Sequence, residues 1–284
     1  GARWSTWCKF HRNWLGDEPV LPLTPHSITV VLAQLKKGGY RSAADYMSTA
    51  KDHHLREHEW SHRLARAHRA SVRSAVRGIG PAHQCEEIDP TSMAKAAAEP
   101  PLRGHRYIPT GFHYTIIIAA FFILRELELS TMVRGSVTMN AVLMTVTILL
   151  PVSKTDVAAL SCQRTWGCVC GDAADPFSCP YHAMEAQLQL LADVYGEKGI
   201  QDDFPVAPAF DGSVMEKEAV VRAIQMVAMA MQLEMTAIDG RDAFTGHVWR
   251  ISGSRLLARL GIQIALIMLL ARWGSATIMR YVKD

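Results

Sequence analysis

The sequence predicts a mainly α protein carrying one small β-sheet. Three observations point there. Apolar residues recur at helical spacing through the first 85 positions. A stretch rich in Val, Thr, Ile and Leu, residues 136–166, breaks that period and reads as strands. Helical spacing then returns from Met184 onward. The expected layout is a helical domain over 1–88, a linker over 89–110, and a second domain over 111–284 with a Cys-rich insertion at about 162–182.

Each element follows from local chemistry. Trp4, Trp7, Phe10 and Trp14 form an apolar stripe that ends near Gly16. Thr24-Pro25 is a start signal, a capping hydroxyl followed by proline at the first helical position, and Gly38-Gly39 stops that helix. Ser42 caps a third helix. A fourth runs from about Trp60 to Val76 and carries Arg63, Arg66, Arg69, Arg73 and Arg77, three or four residues apart. Such a stripe is either a solvated face or, with His62 and His68 beside it, a surface laid along a phosphate backbone. Pro90, Pro100, Pro101 and Pro109 interrupt a short Ala-rich piece, which reads as the linker. Thr110 is the expected cap of a strongly apolar helix from Phe112 to Leu124.

That helix runs into Arg125. A guanidinium there is costly without a partner, and Glu128, three residues on, is the natural one. Strands are expected at 136–139 and 143–150, a turn at 151–156 with Lys154 near its tip, and a return strand from Ala159 to Trp166. Helices follow at Met184–Tyr195, Lys217–Met235 and Val248–Leu260. Residues 262–270 are nearly all apolar and are expected to be buried. Ser275 caps a last helix carrying Tyr281.

Composition bounds the function. Charged residues are 20% and hydrophobic ones 49% of 284, so a core is available and wholesale disorder is excluded. Net charge is only +3, but residues 1–95 hold 14 Lys/Arg against 9 Asp/Glu, so the basic excess sits in the N-terminal third. No signal peptide is visible at the start, and the longest apolar runs are shorter than the roughly 20 residues a membrane helix needs. An intracellular chain without a membrane partner is expected: nuclear in a eukaryote, cytoplasmic or nucleoid-associated in a prokaryote. Cys168-x-Cys170 and Cys179-x-x-His182 set four soft ligands in a polar loop. The set suits structural zinc, although the spacing is not a standard finger pattern; free thiols are the alternative.

His247 and Arg250 lie three apart at a helix start and project from one face. With the indole of Trp273 and the phenol of Tyr281 downstream, they compose a set suited to phosphate chemistry. Each pair alone is equally a solvated helix face.

Taken in order, these segments resemble the tyrosine recombinase (phage integrase) family. Leu124-Arg125-Glu126-Leu127-Glu128-Leu129-Ser130 resembles the family's first-arginine motif, and Ser153-Lys154-Thr155-Asp156 its hairpin lysine motif. Gly246-His247-Val248-Trp249-Arg250 resembles the His-x-x-Arg motif, Ala271-Arg272-Trp273-Gly274-Ser275 the His/Trp motif in its Trp form, and Arg280-Tyr281 the nucleophile motif. Residues 1–85 resemble the core-binding domain more loosely. Two departures stand out: Trp273 to Tyr281 spans eight residues where many members have nine, and the Cys/His insertion is not a general family feature.

The resemblance implies a helical N-terminal core-binding domain joined to an α+β tyrosine recombinase catalytic domain. It implies a C-shaped clamp on double-stranded DNA, working as a homotetramer. No cofactor is needed for the chemistry. Arg125 and Arg250 would clamp the phosphate, Glu128 would orient Arg125, and Lys154 would act as general acid. His247 would hold or accept a proton, Trp273 would donate its N–H, and Tyr281 would be the nucleophile. Three rivals stand beside it: a type IB topoisomerase-like relaxer that keeps the fold, a catalytically degenerate, element-derived protein that only binds DNA or a partner, and a zinc-stabilised helical interaction protein, which leaves the motif order unexplained.

Overall fold

The structure is a computed structural model describing residues 1–79, 85–150, 161–171, 173–237 and 240–273. Lys154 and Tyr281 lie outside the described residues. The chain separates into two compact units, Gly1–His83 and Gln84–Asp284.

The first unit is four helices: α1 (Ala2–Leu15), α2 (Pro25–Lys37), α3 (Ala43–His54) and α4 (His62–Val76). The start of α2 is as the sequence dictates. The Thr24 hydroxyl accepts the Ser27 N–H at 3.0 Å, the Ser27 hydroxyl accepts the Thr24 N–H at 2.9 Å, and Pro25 occupies the first turn. The apolar face of α2 (Ile28, Val31, Leu32, Leu35) meets Trp7 and Met47 in a closed core. On α4 only Leu64 and Ala75 are buried, while Arg63, Arg66, Arg69 and Arg73 are exposed.

The second unit begins before the position expected for a linker. Residues 85–88 bind it directly: the Glu86 N–H donates to the Ala243 carbonyl, the Ile88 N–H to the Ser252 hydroxyl, and Glu87 pairs with Arg255 and Arg259. Residues 90–98 then form α5 (Pro90–Ala98), with Met93, Ala94 and Ala97 in the main core. The segment 89–110 is therefore part of the second unit and not a linker. Its prolines punctuate turns, while its alanines and Met93 supply the small apolar face that a buried helix needs.

The apolar helix is α6 (Phe112–Phe121), buried on all sides. Its N-cap is Gly111 in the left-handed region, and the Thr110 hydroxyl instead shares a 2.7 Å bond with Tyr195. The far end closes by a Schellman arrangement. Leu124 N–H reaches the Ala119 carbonyl and Ile123 N–H the Ala120 carbonyl, with Ile123 at φ 50. A β-branched residue strains at that φ, and burial of Ile123 in the core holds it there. The turn redirects the chain into α7 (Glu126–Ser130), with Arg125 at its N-cap.

A three-stranded antiparallel sheet follows, β1 (Val137–Asn140), β2 (Thr145–Leu150) and β3 (Cys162–Gly167), in the order β1-β2-β3. Among the described residues the return strand begins at Cys162, opposite Leu150; residues 159 and 160, its expected start, lie outside them. Then come α8 (Pro180–Tyr195), α9 (Lys217–Ala230), α10 (Val248–Arg259) and α11 (Ile264–Ala271). Helix α8 begins a turn earlier than the sequence suggested because Pro180 is at its first position. Helix α9 stops early, at Gln232 with φ 57, where the Leu233 N–H returns to the Ala228 carbonyl.

Burial of residues 262–270 is overturned. Only Ile267 of that stretch is buried, and Ile264, Leu266 and Leu269 are exposed among the described residues. An eight-residue helix turns one stripe to the core, and an all-apolar sequence does not change that geometry. No helix among the described residues is long and apolar enough to cross a membrane.

One glycine sets the central crossing. A Cβ on Gly253 would lie 2.1 Å from the Ala120 carbonyl oxygen, so α10 rests on the backbone of α6 there. Gly253→Ala should therefore destabilise the protein by about 1–3 kcal/mol, the cost of overpacking, as measured by urea unfolding. An unchanged midpoint would mean that the crossing is looser than described.

Candidate functional site

The α6–α10 crossing places two arginines at one cleft. Arg125 leads α7, and Arg250 lies in the first turn of α10. Both line a cavity of about 640 Å³ together with Glu126, Glu128, Thr131, Met132, Leu149, Leu150, Lys217 and His247. Strand β2 thus reaches the cleft at Leu149 and Leu150.

Glu128 organises the cations. Its Oε2 accepts the Arg125 backbone N–H at 2.9 Å, and its Oε1 accepts Nη1 of Arg125 at 2.8 Å. The same Oε1 is bonded by Nη2 of Arg272. Burial pushes the Glu128 carboxyl up, but the Arg125 N–H and the charges of Arg272, Arg125 and Arg250 outweigh it and hold it below its ordinary value.

Arg250 is buried and donates from Nη2 to the Ala271 carbonyl at the end of α11. That carbonyl is one a helix leaves unpaired, and it sits at the negative end of the helix dipole. Burial first, then the Arg125 charge, pushes Arg250 down to about 10, so it stays protonated at neutral pH. Past Ala271 the chain turns through Arg272 in the left-handed region, and the Trp273 ring lies over the Arg250 guanidinium at 5.2 Å.

His247 is the N-cap of α10 and is exposed at the cleft. Desolvation at the cleft wall, with the charges of Arg250, Arg125 and Lys217, lowers its pKa against the pull of Glu126. At neutral pH the imidazole is neutral and offers both a donor and an acceptor. Gly246 before it leaves room for Glu126: a Cβ there would fall 2.3 Å from the Glu126 carboxyl carbon, so a larger residue would have to displace that side chain.

Five of the sequence-derived candidates (Arg125, Glu128, His247, Arg250 and Trp273) thus belong to one assembly. Lys154 and Tyr281 lie outside the described residues. Two further arginines join that the motif reading did not select. Arg272 shares Glu128. Arg164, buried on β3, donates from Nη1 to the Phe122 carbonyl that ends α6. Burial and the Arg272 charge lower its pKa. A signal for Arg164 was present: it shares strand parity with Cys162 and Trp166, so an arginine points inward from an otherwise core-facing set. Arg272 carried no such local sign. Lys217 also enters the cleft, with Nζ 3.6 Å from Glu126.

The chemical consequence is an anion site. Among the described residues, four guanidinium groups surround one carboxylate, and Nε of Arg164, Arg250 and Arg272 is buried without a hydrogen-bond partner. Buried donors in that state favour an anion that supplies oxygens. The exposed stripe on α4 has the opposite character: among the described residues Arg63, Arg66, Arg69 and Arg73 have no carboxylate partner.

No protein-family model matches the sequence, and no curated protein matches it. Solved structures do. A lambda integrase dimer bound to a COC′ core site aligns over 100% of this chain and 88% of its own, at 15% identity and TM-score 0.66. A lambda integrase tetramer bound to a Holliday junction aligns over 100% and 71%, at 14% identity and TM-score 0.64. The Tn1549 transposon integrase in complex with transposon right end DNA aligns over 100% and 88%, at 10% identity and TM-score 0.64. The chain has the tyrosine recombinase fold.

Glu128→Gln should cost about 3 kcal/mol in urea unfolding, because two partly buried guanidinium groups lose their counter-charge. The sign with pH follows from the lowered carboxyl pKa. The wild-type contribution is full above the unfolded carboxylate value of about 4.3 and is lost as pH falls through the lower folded value. The variant should lack that acid dependence. Inorganic sulfate should raise the Tm of the wild type and leave that of Arg250→Ala unmoved.

Proposed function

We propose that the chain is a site-specific DNA recombinase that cuts and rejoins duplex DNA through a covalent 3′-phosphotyrosyl intermediate, as in integration or excision of a mobile element. The observation that carries this reading is the arginine cluster ordered by Glu128 at an open cleft, in a chain with this fold. DNA in the fold's solved relatives, including a tetramer on a Holliday junction, supports double-stranded DNA as substrate and a homotetramer as the working form.

The roles follow from charge and geometry. Negative charge on the non-bridging phosphate oxygens needs fixed donors, and Arg125 and Arg250 supply forked N–H groups held before substrate arrives. Arg164 and Arg272 raise the local positive potential and, among the described residues, carry further donors without a partner. Tyr281 attacks phosphorus, the Tyr–O–P bond forms, and the P–O5′ bond breaks. Lys154 gives a proton to the departing 5′ oxygen. Attack by a 5′-hydroxyl from a second strand reverses the step and releases Tyr281, so the phosphoryl bond is conserved. His247, neutral at neutral pH, accepts or holds the phenol proton, and Trp273 covers Arg250 and excludes water. The chemistry uses no metal or organic cofactor.

The test is covalent trapping on nicked suicide duplexes in buffer without added magnesium. Wild type should give a denaturant-resistant protein–DNA band, and Tyr281→Phe none. A band from Tyr281→Phe would overturn the assignment of the nucleophile. DNA binding by wild type without any band on a set of candidate sites would favour the degenerate binding protein, and relaxation of any supercoiled plasmid would favour a topoisomerase-like relaxer.

Two further outcomes are expected. Because the His247 pKa is lowered, the acid limb of the cleavage profile should lie at lower pH than an ordinary histidine would place it. A His247→Gln variant should be slower and lose that acid limb. On α4, Arg66→Glu with Arg69→Glu should weaken DNA binding and reduce the slope of log K against log salt by about one for each phosphate no longer neutralised. An unchanged slope would return the stripe to a solvated face.

A further inference from the structure

Outside the arginine cleft, three cysteines and a histidine meet where β3 passes into α8. Cys168 and Cys170 follow the strand. The Cys168 N–H donates to the Met144 carbonyl at 2.8 Å and so extends the β2–β3 pairing past Gly167. Cys179 is the N-cap of α8, and His182 lies in its first turn. The loop between holds its own shape. The Asp175 carboxylate accepts the Phe177 N–H at 2.9 Å and the Ser178 hydroxyl at 2.6 Å, and the Asp175 carbonyl accepts the Cys179 N–H at 3.1 Å. That carboxylate is therefore committed to the loop.

The four remaining donors converge. One atom from each of Cys168, Cys170, Cys179 and His182 lies within 4.8 Å of all the others. His182 Nδ1 is 3.7 Å from Cys168 Sγ and 3.3 Å from Cys170 Sγ. A tetrahedral zinc ion with Zn–S near 2.3 Å and Zn–N near 2.0–2.1 Å sets sulfur and nitrogen about 3.6 Å apart and sulfurs about 3.8 Å apart. A single thiol–imidazole hydrogen bond would explain one close pair; it does not gather four donors from two elements. None of the cysteines is in a disulfide. Backbone N–H groups also point at two of the sulfurs, Asp175 to Cys170 at 3.3 Å and Val169 to Cys179 at 3.4 Å. Such outer contacts orient metal-bound thiolates.

We infer that Cys168, Cys170, Cys179 and His182 bind one zinc ion. Four protein ligands leave no open position, so the site is structural. It fastens the end of β3 to the start of α8 across a loop with no helix or strand of its own among the described residues. Phe177 of that loop packs on His113 and Tyr114 at the first turn of α6, with ring centroids 6.1 Å apart in each pair. The far end of α6 presents Arg125. The metal thereby holds the seat of the helix that aims the phosphate clamp, without touching the clamp.

The experiment is metal content on the whole chain, purified reduced and without chelator. One zinc per chain is expected by elemental analysis and native mass spectrometry. Exchange for cobalt(II) should give the thiolate charge-transfer band and the intense d–d bands of a four-coordinate site. Cys162→Ser should keep the metal, Cys170→Ser with Cys179→Ser should lose it, and His182→Cys should retain it as a four-thiolate site. Substoichiometric zinc in a folded protein with no four-coordinate cobalt spectrum would overturn the assignment. So would full zinc content in the Cys170→Ser, Cys179→Ser variant. If that variant does not fold, the cobalt spectrum of the wild type decides alone.

Discussion

The structure depends on one carboxylate. Glu128 accepts the backbone N–H of Arg125, the side chain of Arg125 and the side chain of Arg272, and the charges of Arg250 and Arg164 fall within its field. Without it, guanidinium groups that are mostly out of solvent would repel one another with no counter-charge, and in a medium less polar than water that repulsion is large. With it, they hold fixed positions, and among the described residues they still outnumber the carboxylates that line the cleft. A site in that condition has spent its ordering cost before an anion arrives, which is the physical content of preorganisation.

The cluster is assembled by helix ends. Arg164 closes the carbonyl end of α6, Arg250 closes that of α11, and Arg125 stands at the start of α7. Each helix terminus leaves backbone groups that need partners, and a guanidinium satisfies carbonyls while complementing the helix dipole. Two left-handed residues, Ile123 and Arg272, make the turns that bring these ends together. Neither is glycine, so each turn carries strain that the surrounding packing must hold. Gly253 allows α10 to lie on the α6 backbone, and Gly246 leaves room for Glu126 beside His247. Positional accuracy at the cleft thus rests on one close contact at its wall and one deeper in the core.

The Cys/His cluster meets a different need. Among the described residues the segment between β3 and α8 carries no helix or strand of its own, yet it joins the sheet to α8 and covers the start of α6. A loop without helix or strand hydrogen bonds gains order from side-chain hydrogen bonds and from a bound ion as well as from the packing of Phe177. The first unit solves its smaller problem in the ordinary way, with a capped α2 laid on Trp7 and Met47, and leaves α4 free to present basic side chains.

Much of this was legible in the chain itself. The Thr24-Pro25 start, the three strands, the Arg125–Glu128 pair at three-residue spacing and the Cys/His grouping all depend on neighbours in sequence, so local chemistry suffices to read them. The order of short motifs was enough to point to the tyrosine recombinase fold. What the sequence could not show is where distant residues converge. The stretch 89–110 looks like a linker because prolines dominate it, but its core-facing Met93, Ala94 and Ala97 only acquire meaning once α6 is beside them. Residues 262–270 look buried because hydropathy has no direction, while a packed helix does. Arg164 and Arg272 come from a strand and a helix end far apart in the chain. Local sequence thus determined which elements form and which charged pairs lie in reach. Only tertiary packing decided that Arg272 joins Arg125 on Glu128 and that the charges of Arg250 and Arg164 lie within its field, because those residues come from elements far apart in the chain.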